Sequence, residues 1–287
     1  MAGCNVQTAP EERPEKRMDT MEQAPLVLVE EDDGILIVTL NRPEKYNAIN
    51  IAMMRTFSDA VDRLRDTPEL KIMLIRSTGK YFSAGADLKE SRNERPKTGS
   101  GIREMHRRMP SDMRRIWDEM EAIEKPFVVA HQGPCVGGGL EMSLSCDFRL
   151  ASTNARYAFP EGKFAILPAT NGVSRLTRMV GASWARYLVM ANMEVDAEEA
   201  RMMGLVHKVF PAETFDEQVM AFCRHLARQN SEQMGTAKIA IELARDLGAH
   251  QAASVERLAN SALMLMPDYS KIHDAHVSNI GKGTKGG

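Results

Sequence analysis

The run Pro126-Phe127-Val128-Val129-Ala130-His131 leads into Gly133-Pro134-Cys135-Val136-Gly137-Gly138-Gly139-Leu140-Glu141. Its first residues are apolar and β-favouring and read as a buried strand. The glycines require a turn, and Leu140 to Leu144 begin a short helix. Strand, glycine turn and helix start together leave bare backbone N–H groups at the positive end of a helix. Such groups suit a developing oxyanion. A second glutamate, Glu161, stands 20 positions after Glu141, in Phe159-Pro160-Glu161. Adding water to a double bond needs one carboxyl group to take a proton and another to give one.

Outward from this block, strands and helices alternate. Ile35 to Leu40, Lys71 to Arg76, Phe148 to Ala151 and Val206 to Phe210 read as strands. Asn50 is placed to cap a helix in which Met54, Phe57, Val61 and Leu64 share one face. A second glycine turn, Tyr81-Phe82-Ser83-Ala84-Gly85-Ala86-Asp87, follows the Lys71 strand. A polar stretch from about Ser91 to Ser111 precedes a helix ending near Glu124. Asp196 and Glu199 have capping-box spacing, and Gly204 stops that helix. From Ser231 onward the pattern is helical. The expectation is an α/β core followed by a helical C-terminal part.

Gross properties narrow the function. The chain has 287 residues, 43% of them apolar, and a formal charge of -2. Near-neutral charge argues against nucleic acid as a partner, and no apolar run approaches the roughly 20 residues of a membrane span. Cys4, Cys135, Cys146 and Cys223 lack metal-ligand or disulfide-framework spacing. They read as reduced thiols, with Cys146 a small core residue, and a cytoplasmic location is expected. No His/Asp/Glu cluster has metal-ligand spacing, so no metal site is expected. Residues 1–24, rich in proline and mixed charge, are expected to be disordered without a signal peptide. Residues 25–230 are expected to form the core, 231–275 a helical C-terminal region and 276–287 a flexible tail.

The motifs Tyr81 to Lys89, Gly133 to Glu141 and Phe159-Pro160-Glu161 resemble the crotonase superfamily, also called enoyl-CoA hydratase/isomerase. Arg175-Leu176 with Val180-Gly181, and Ala197 to Ala200 with Gly204-Leu205-Val206, continue the resemblance in order over about residues 26–230. It implies a spiral of ββα units, assembly as a trimer or dimer of trimers with residues 231–275 as the trimerisation region, and an acyl-CoA thioester as substrate. No cofactor is implied beyond the coenzyme A that the substrate carries.

The resemblance also implies roles. The backbone N–H groups of Ala86 and Gly138 would hold the thioester oxygen as enolate-like charge develops. Glu141 and Glu161 match the two catalytic glutamates of the hydratases, which hold one water between them. Ala84, Ala86, Leu88 and Lys89 lie on the loop that holds the adenine, with Lys89 near phosphate, and Lys45 lies on an early loop on the CoA side. Ala169 stands where the family commonly has a glycine, and Asn171 is unusual, so the pocket's shape should differ. The segment from Met266 to His273 departs from the family's CoA-touching C-terminus, and no contact is carried onto it. Arg103, His106, Arg107, Arg108, Arg114 and Arg115 should border the acyl pocket and read as a solvated basic face or as recognition of an acidic or polar acyl group. Met105, Met109, Met113, Trp117 and Met120 are spaced to pack inward.

An enoyl-CoA hydratase is therefore expected, adding water reversibly across the 2,3 double bond. Two other readings stand beside it: another crotonase-type reaction (isomerase, hydrolase or C–C lyase), or a non-catalytic acyl-CoA binder.

Overall fold

The computed structural model describes residues 24–93, 96–108 and 113–280, with the side chains of 91–93, 105–108 and 279 left aside. In chain order the strands are β1 (Val27–Asp32), β2 (Ile35–Leu40), β3 (Ile72–Ser77), β4 (Phe127–His131), β5 (Cys135–Val136), β6 (Phe148–Ser152), β7 (Arg156–Ala158), β8 (Val195–Asp196) and β9 (Lys208–Phe210). The helices are α1 (Ile51–Asp66), α2 (Leu88–Asn93), α3 (Gly99–Arg108), α4 (Met113–Ala122), α5 (Gly138–Leu144), α6 (Gly172–Ala185), α7 (Ala197–Met202), α8 (Phe215–Ala227), α9 (Ser231–Ala244), α10 (Ala249–Met264) and α11 (Pro267–Asn279).

The main sheet has the order β1-β2-β3-β4-β6-β9, and β5-β7-β8 form a small second sheet. From β2 onward every neighbouring pair in the main sheet is parallel. A parallel sheet needs cover on both faces, and alternation along each strand supplies two apolar faces. Leu36, Val38, Met73, Ile75, Phe127 and Val129 face α1 and α4, where Phe57, Val61, Trp117 and Met120 pack. Ile35, Ile37, Ile72, Leu74 and Val128 face α8, packing with Phe215, Val219 and Cys223. Asn50 caps α1 as expected, its side chain accepting from Met53 N at 2.9 Å. Asp196 and Glu199 form the expected capping box on α7. Lys238 anchors α9 to the core, donating to Met120 O at 2.8 Å and Asp147 Oδ2 at 3.0 Å.

Several elements differ from expectation. β1 was not expected; it pairs antiparallel with β2 through an Asp33-Gly34 turn with φ of 47° and 80°, the left-handed pair that a tight hairpin requires. The stretch from 91 to 111, read as polar and given no element of its own, contains the end of α2 and all of α3. Thr98 starts α3, its hydroxyl accepting from Gly101 N at 3.0 Å. At the other end, α11 continues to Asn279, past the expected start of the tail at 276. The expectations of disorder over 1–23 and of flexibility over 281–287 lie outside the described residues, as do the side chains of Met105, Met109, His106, Arg107 and Arg108.

The loops that matter leave the carboxyl ends of β3 and β4. In open α/β sheets this end is where ligands bind.

Candidate active site

The loop after β3 is held by residues 42–49. Asn47 is fully buried with φ of 53°. Its Nδ2 donates to Thr78 O and Tyr81 O at 2.8 and 2.9 Å, and its Oδ1 accepts from Arg42 N at 2.7 Å. Ser83 Oγ donates to Asn47 O and accepts from Gly85 N. Phe82 N and Ser83 N donate to Pro134 O, Ala84 N to Tyr46 O, and Asp87 N to Ile49 O. Each of these amides is committed, whereas Ala86 N–H has no acceptor among the described residues.

Gly138 supplies a second such amide. It opens α5, so its N–H has no intrahelical partner. Its neighbours are committed, Gly137 N to Ala158 O at 3.1 Å and Glu141 N to Gly137 O at 2.9 Å. A Cβ added to Gly138 would lie 3.4 Å from Ala86 N, so the two unpaired donors are neighbours. Gly137 adopts φ 53°, ψ −127°, a conformation open to glycine alone. It also brings the second acid close, because a Cβ there would lie 2.7 Å from Glu161 Oε1.

Glu141 projects from α5 and is 5% exposed. Its Oε1 accepts from Thr170 N at 2.8 Å. Its pKa is raised by burial, and the amides of Thr170 and Gly172 and the charge of Arg175 offset only part of that rise. Glu161 sits on a 3-10 turn, Pro160–Phe164, behind β7. Burial raises its pKa to about 7; its own backbone N–H opposes this, and the negative charge of Glu141 adds to it. One of its oxygens, Oε2, is buried without a partner. The two acids are therefore neighbours, both with pKa raised by burial but unequally supplied with donors. Glu141 has donors that favour its anion, and Glu161 is poised to keep a proton near neutrality.

The sequence pattern described as Enoyl-CoA hydratase/isomerase matches residues 30–264. This chain belongs to the enoyl-CoA hydratase/isomerase family. Among curated relatives, it is 31% identical to "Probable enoyl-CoA hydratase echA8" of Mycobacterium bovis over 80% of this chain and 86% of that protein. It is 29% identical to "Crotonyl-CoA hydratase" of Syntrophomonas wolfei, again over 80% of this chain and 86% of that one. The solved structure of an enoyl-CoA hydratase from Bacillus anthracis superposes with a TM-score of 0.81 at 26% identity, covering 88% of this chain and 96% of the other. The fold is thus the α/β crotonase type expected from the motifs.

The other residues singled out in this family member fall into two groups. Ala84, Leu88, Lys89 and Lys45 are exposed beside the Ala86 loop, and Ala84 N bonds to Tyr46 O, next to Lys45. Arg103, Arg114 and Arg115 are exposed, and Arg114 Nε lies 3.8 Å from Asp118 Oδ2. Trp117 and Met120 are buried as expected, and Met113 packs partly buried against the same core. Cys146 is a buried free thiol.

Sequence reasoning gave no role to Asn47, Asp87, Thr170 or Arg175. Asp87 accepts from Arg42 Nη1 at 2.7 Å and from Lys89 N at 3.0 Å, which ties the Ala86 loop to residues 42–48 and starts α2. The signal for this pair is present in the two motifs Arg42-Pro43-Glu44 and Gly85-Ala86-Asp87, but nothing in their spacing shows that they meet.

Proposed function

We propose that this chain is an enoyl-CoA hydratase that adds water across the 2,3 double bond of an acyl-CoA thioester, with Glu141 as general base and Glu161 as general acid. The observation that carries this reading is the meeting of two carboxyl groups, one buried and cradled by the Thr170 amide and the other with a buried, unpartnered oxygen, beside two unpaired amides. The thioester oxygen would accept hydrogen bonds from Ala86 N–H and Gly138 N–H. Its polarisation makes the β-carbon electrophilic. Glu141, whose anion two backbone amides favour, takes a proton from water as the oxygen bonds to that carbon. Electron density moves through the α-carbon to the thioester oxygen, where the amides stabilise it. Glu161 then delivers its proton to the α-carbon. At the end of a turnover Glu141 holds a proton and Glu161 has lost one, and exchange through solvent resets them.

The nucleotide part of coenzyme A would lie along the exposed loop of Ala84, Ala86 and Leu88, with Lys89 and Lys45 as point charges for phosphate. The chemistry needs no metal or further cofactor. An assembly of three chains, or of two such trimers, is supported by apolar residues that the C-terminal helices leave exposed in one chain, among them Ile241, Leu258, Leu265 and Ile272. No helix among the described residues is long and apolar enough to cross a membrane. The buried free thiols of Cys135, Cys146 and Cys223 support a reducing, cytosolic compartment.

Mass analysis of the product tests the reaction class. Crotonyl-CoA should gain the mass of one water. An unchanged mass with a moved double bond would assign an isomerase, and binding without conversion would leave an acyl-CoA binder.

A further inference from the structure

Arg175 is a cation in an interior position. It lies in the first turn of α6 with its side chain 6% exposed. A buried guanidinium persists where its donors are satisfied and its charge is balanced. Two acids on α4 do this from one side. Nε donates to Glu121 Oε1 at 2.9 Å, and Nη2 donates to Glu121 Oε2 at 2.7 Å and to Asp118 Oδ1 at 2.6 Å. The remaining arm turns inward, where Nη1 donates to Thr170 O at 3.1 Å.

Thr170 is the residue whose N–H donates to Glu141 Oε1. The next residue, Asn171, has φ of 67°, and a left-handed residue at this place lets flanking amides converge on an anion. A Cβ at Gly172 would lie 2.7 Å from Glu141 Oε1, so the turn wraps closely round the carboxylate. Asn171 Nδ2 donates to Asp118 Oδ1 at 2.9 Å, the oxygen that Arg175 also uses. One end of the 170–172 turn is thus fixed to α4, and the other holds Glu141.

We propose that Arg175 is a positioning residue for Glu141: its hydrogen bond to the Thr170 carbonyl fixes the turn whose amides cradle that carboxylate. This rests on the reading of Glu141 as the general base. The charged groups that bear on Glu141 are Arg175 from α6 and Glu161 from the Pro160–Phe164 turn, with Asp118 and Glu121 behind Arg175 on α4. Arg175 favours the ionised form of Glu141 and Glu161 opposes it. The two acids on α4 weaken what Arg175 contributes. Because the acid limb of kcat/KM reports the base of the free enzyme, these signs are measurable.

Hydration of crotonyl-CoA should be followed from pH 5 to 10 in the full chain and in Arg175→Met, Arg175→Lys, Glu121→Gln and Glu141→Gln. Arg175→Met should lower kcat at least about tenfold with KM changed less than about threefold, and should move the acid limb up by about half to one pH unit. Arg175→Lys should leave the limb in place and restore much of kcat. Glu121→Gln should move the limb the opposite way, down by a few tenths of a unit. General loosening of the fold would not shift the limb in opposite directions. An unmoved limb in Arg175→Met, whatever its melting temperature, overturns the proposal. If Arg175→Met does not fold, an unmoved or raised limb in Glu121→Gln does so instead. Loss of activity in Glu141→Gln beside unmoved limbs sinks only the positioning role. Full activity in Glu141→Gln sinks the reading of the base itself.

Discussion

Gly138→Pro removes a single donor at a position where the backbone tolerates proline. Gly138 is the first residue of α5, and proline is favoured there because that N–H has no helical acceptor. The residue before a proline must be extended. Gly137, at φ 53° and ψ −127°, is the mirror image of that conformation, which glycine adopts freely. The helix should therefore survive while the Gly138 N–H is lost. Removing one donor to a developing oxyanion costs about 3 kcal/mol of barrier, roughly 150-fold in kcat. Gly138→Ala is the control, because it keeps the N–H and places a Cβ 3.4 Å from Ala86 N, an ordinary contact. Initial rates of crotonyl-CoA hydration, with thermal melts of the three proteins, decide the matter. The proline variant should turn over at least about 100-fold more slowly than the alanine variant while melting within a few degrees of it. Equal rates in the two folded variants would refute the role of this amide.

Other perturbations follow from the same geometry. In the folded chain Glu161 has its pKa raised to about 7, above an unfolded value of 4.5. Folding therefore takes up a proton between these values, and the group's destabilising effect grows as pH rises through that window. Glu161→Gln should melt with wild type near pH 4 and above it at pH 8, by about 1–2 kcal/mol after allowance for partial solvent screening; equal melting at pH 8 would contradict the raised pKa. Asp87 is held below the usual carboxylate range, first by its hydrogen bond from Arg42. Its contribution is present above pH 3.8 and fades as pH falls below it, so Asp87→Asn should cost about 1 kcal/mol at pH 7 and much less near pH 3. A gap in melting that stayed constant with pH would exclude the ion pair as its source. Lys89→Ala should raise KM for crotonyl-CoA several-fold with kcat nearly unchanged. It should not alter KM for a crotonyl thioester lacking the nucleotide, and an equal effect on both thioesters would remove Lys89 from phosphate binding.

Much of this molecule is legible in the chain, because the informative segments are locally constrained. Ile35–Leu40 and Phe127–His131 read as buried strands since both faces of a parallel sheet must be apolar. Asn50 and Asp196 mark helix starts through their caps. β1 escaped notice because Glu30, Glu31 and Asp32 break its alternation on a half-exposed edge, although Asp33-Gly34 is a hairpin turn in its own right. β5, β7 and β8 are two or three residues long, too short for any period to appear. α3 is so polar and charged that its bounds do not show in the sequence, although its methionine is spaced as on a helix. In the site, Glu141 and Glu161 were visible through their motifs. The Arg175–Thr170–Glu141 chain of hydrogen bonds was not, because it joins α4, α5 and α6, and its central link is a backbone amide with no sequence signature.

The central claim is the division of labour between two acids over one polarised thioester. Its most direct measurement is the loss of the conjugated thioester absorbance when crotonyl-CoA meets wild type, Glu141→Gln and Glu161→Gln, with the folding of each checked by its melt. Wild type should hydrate the substrate rapidly, and each folded single variant should be slower by several orders of magnitude. Near-normal turnover by either folded variant would contradict the account.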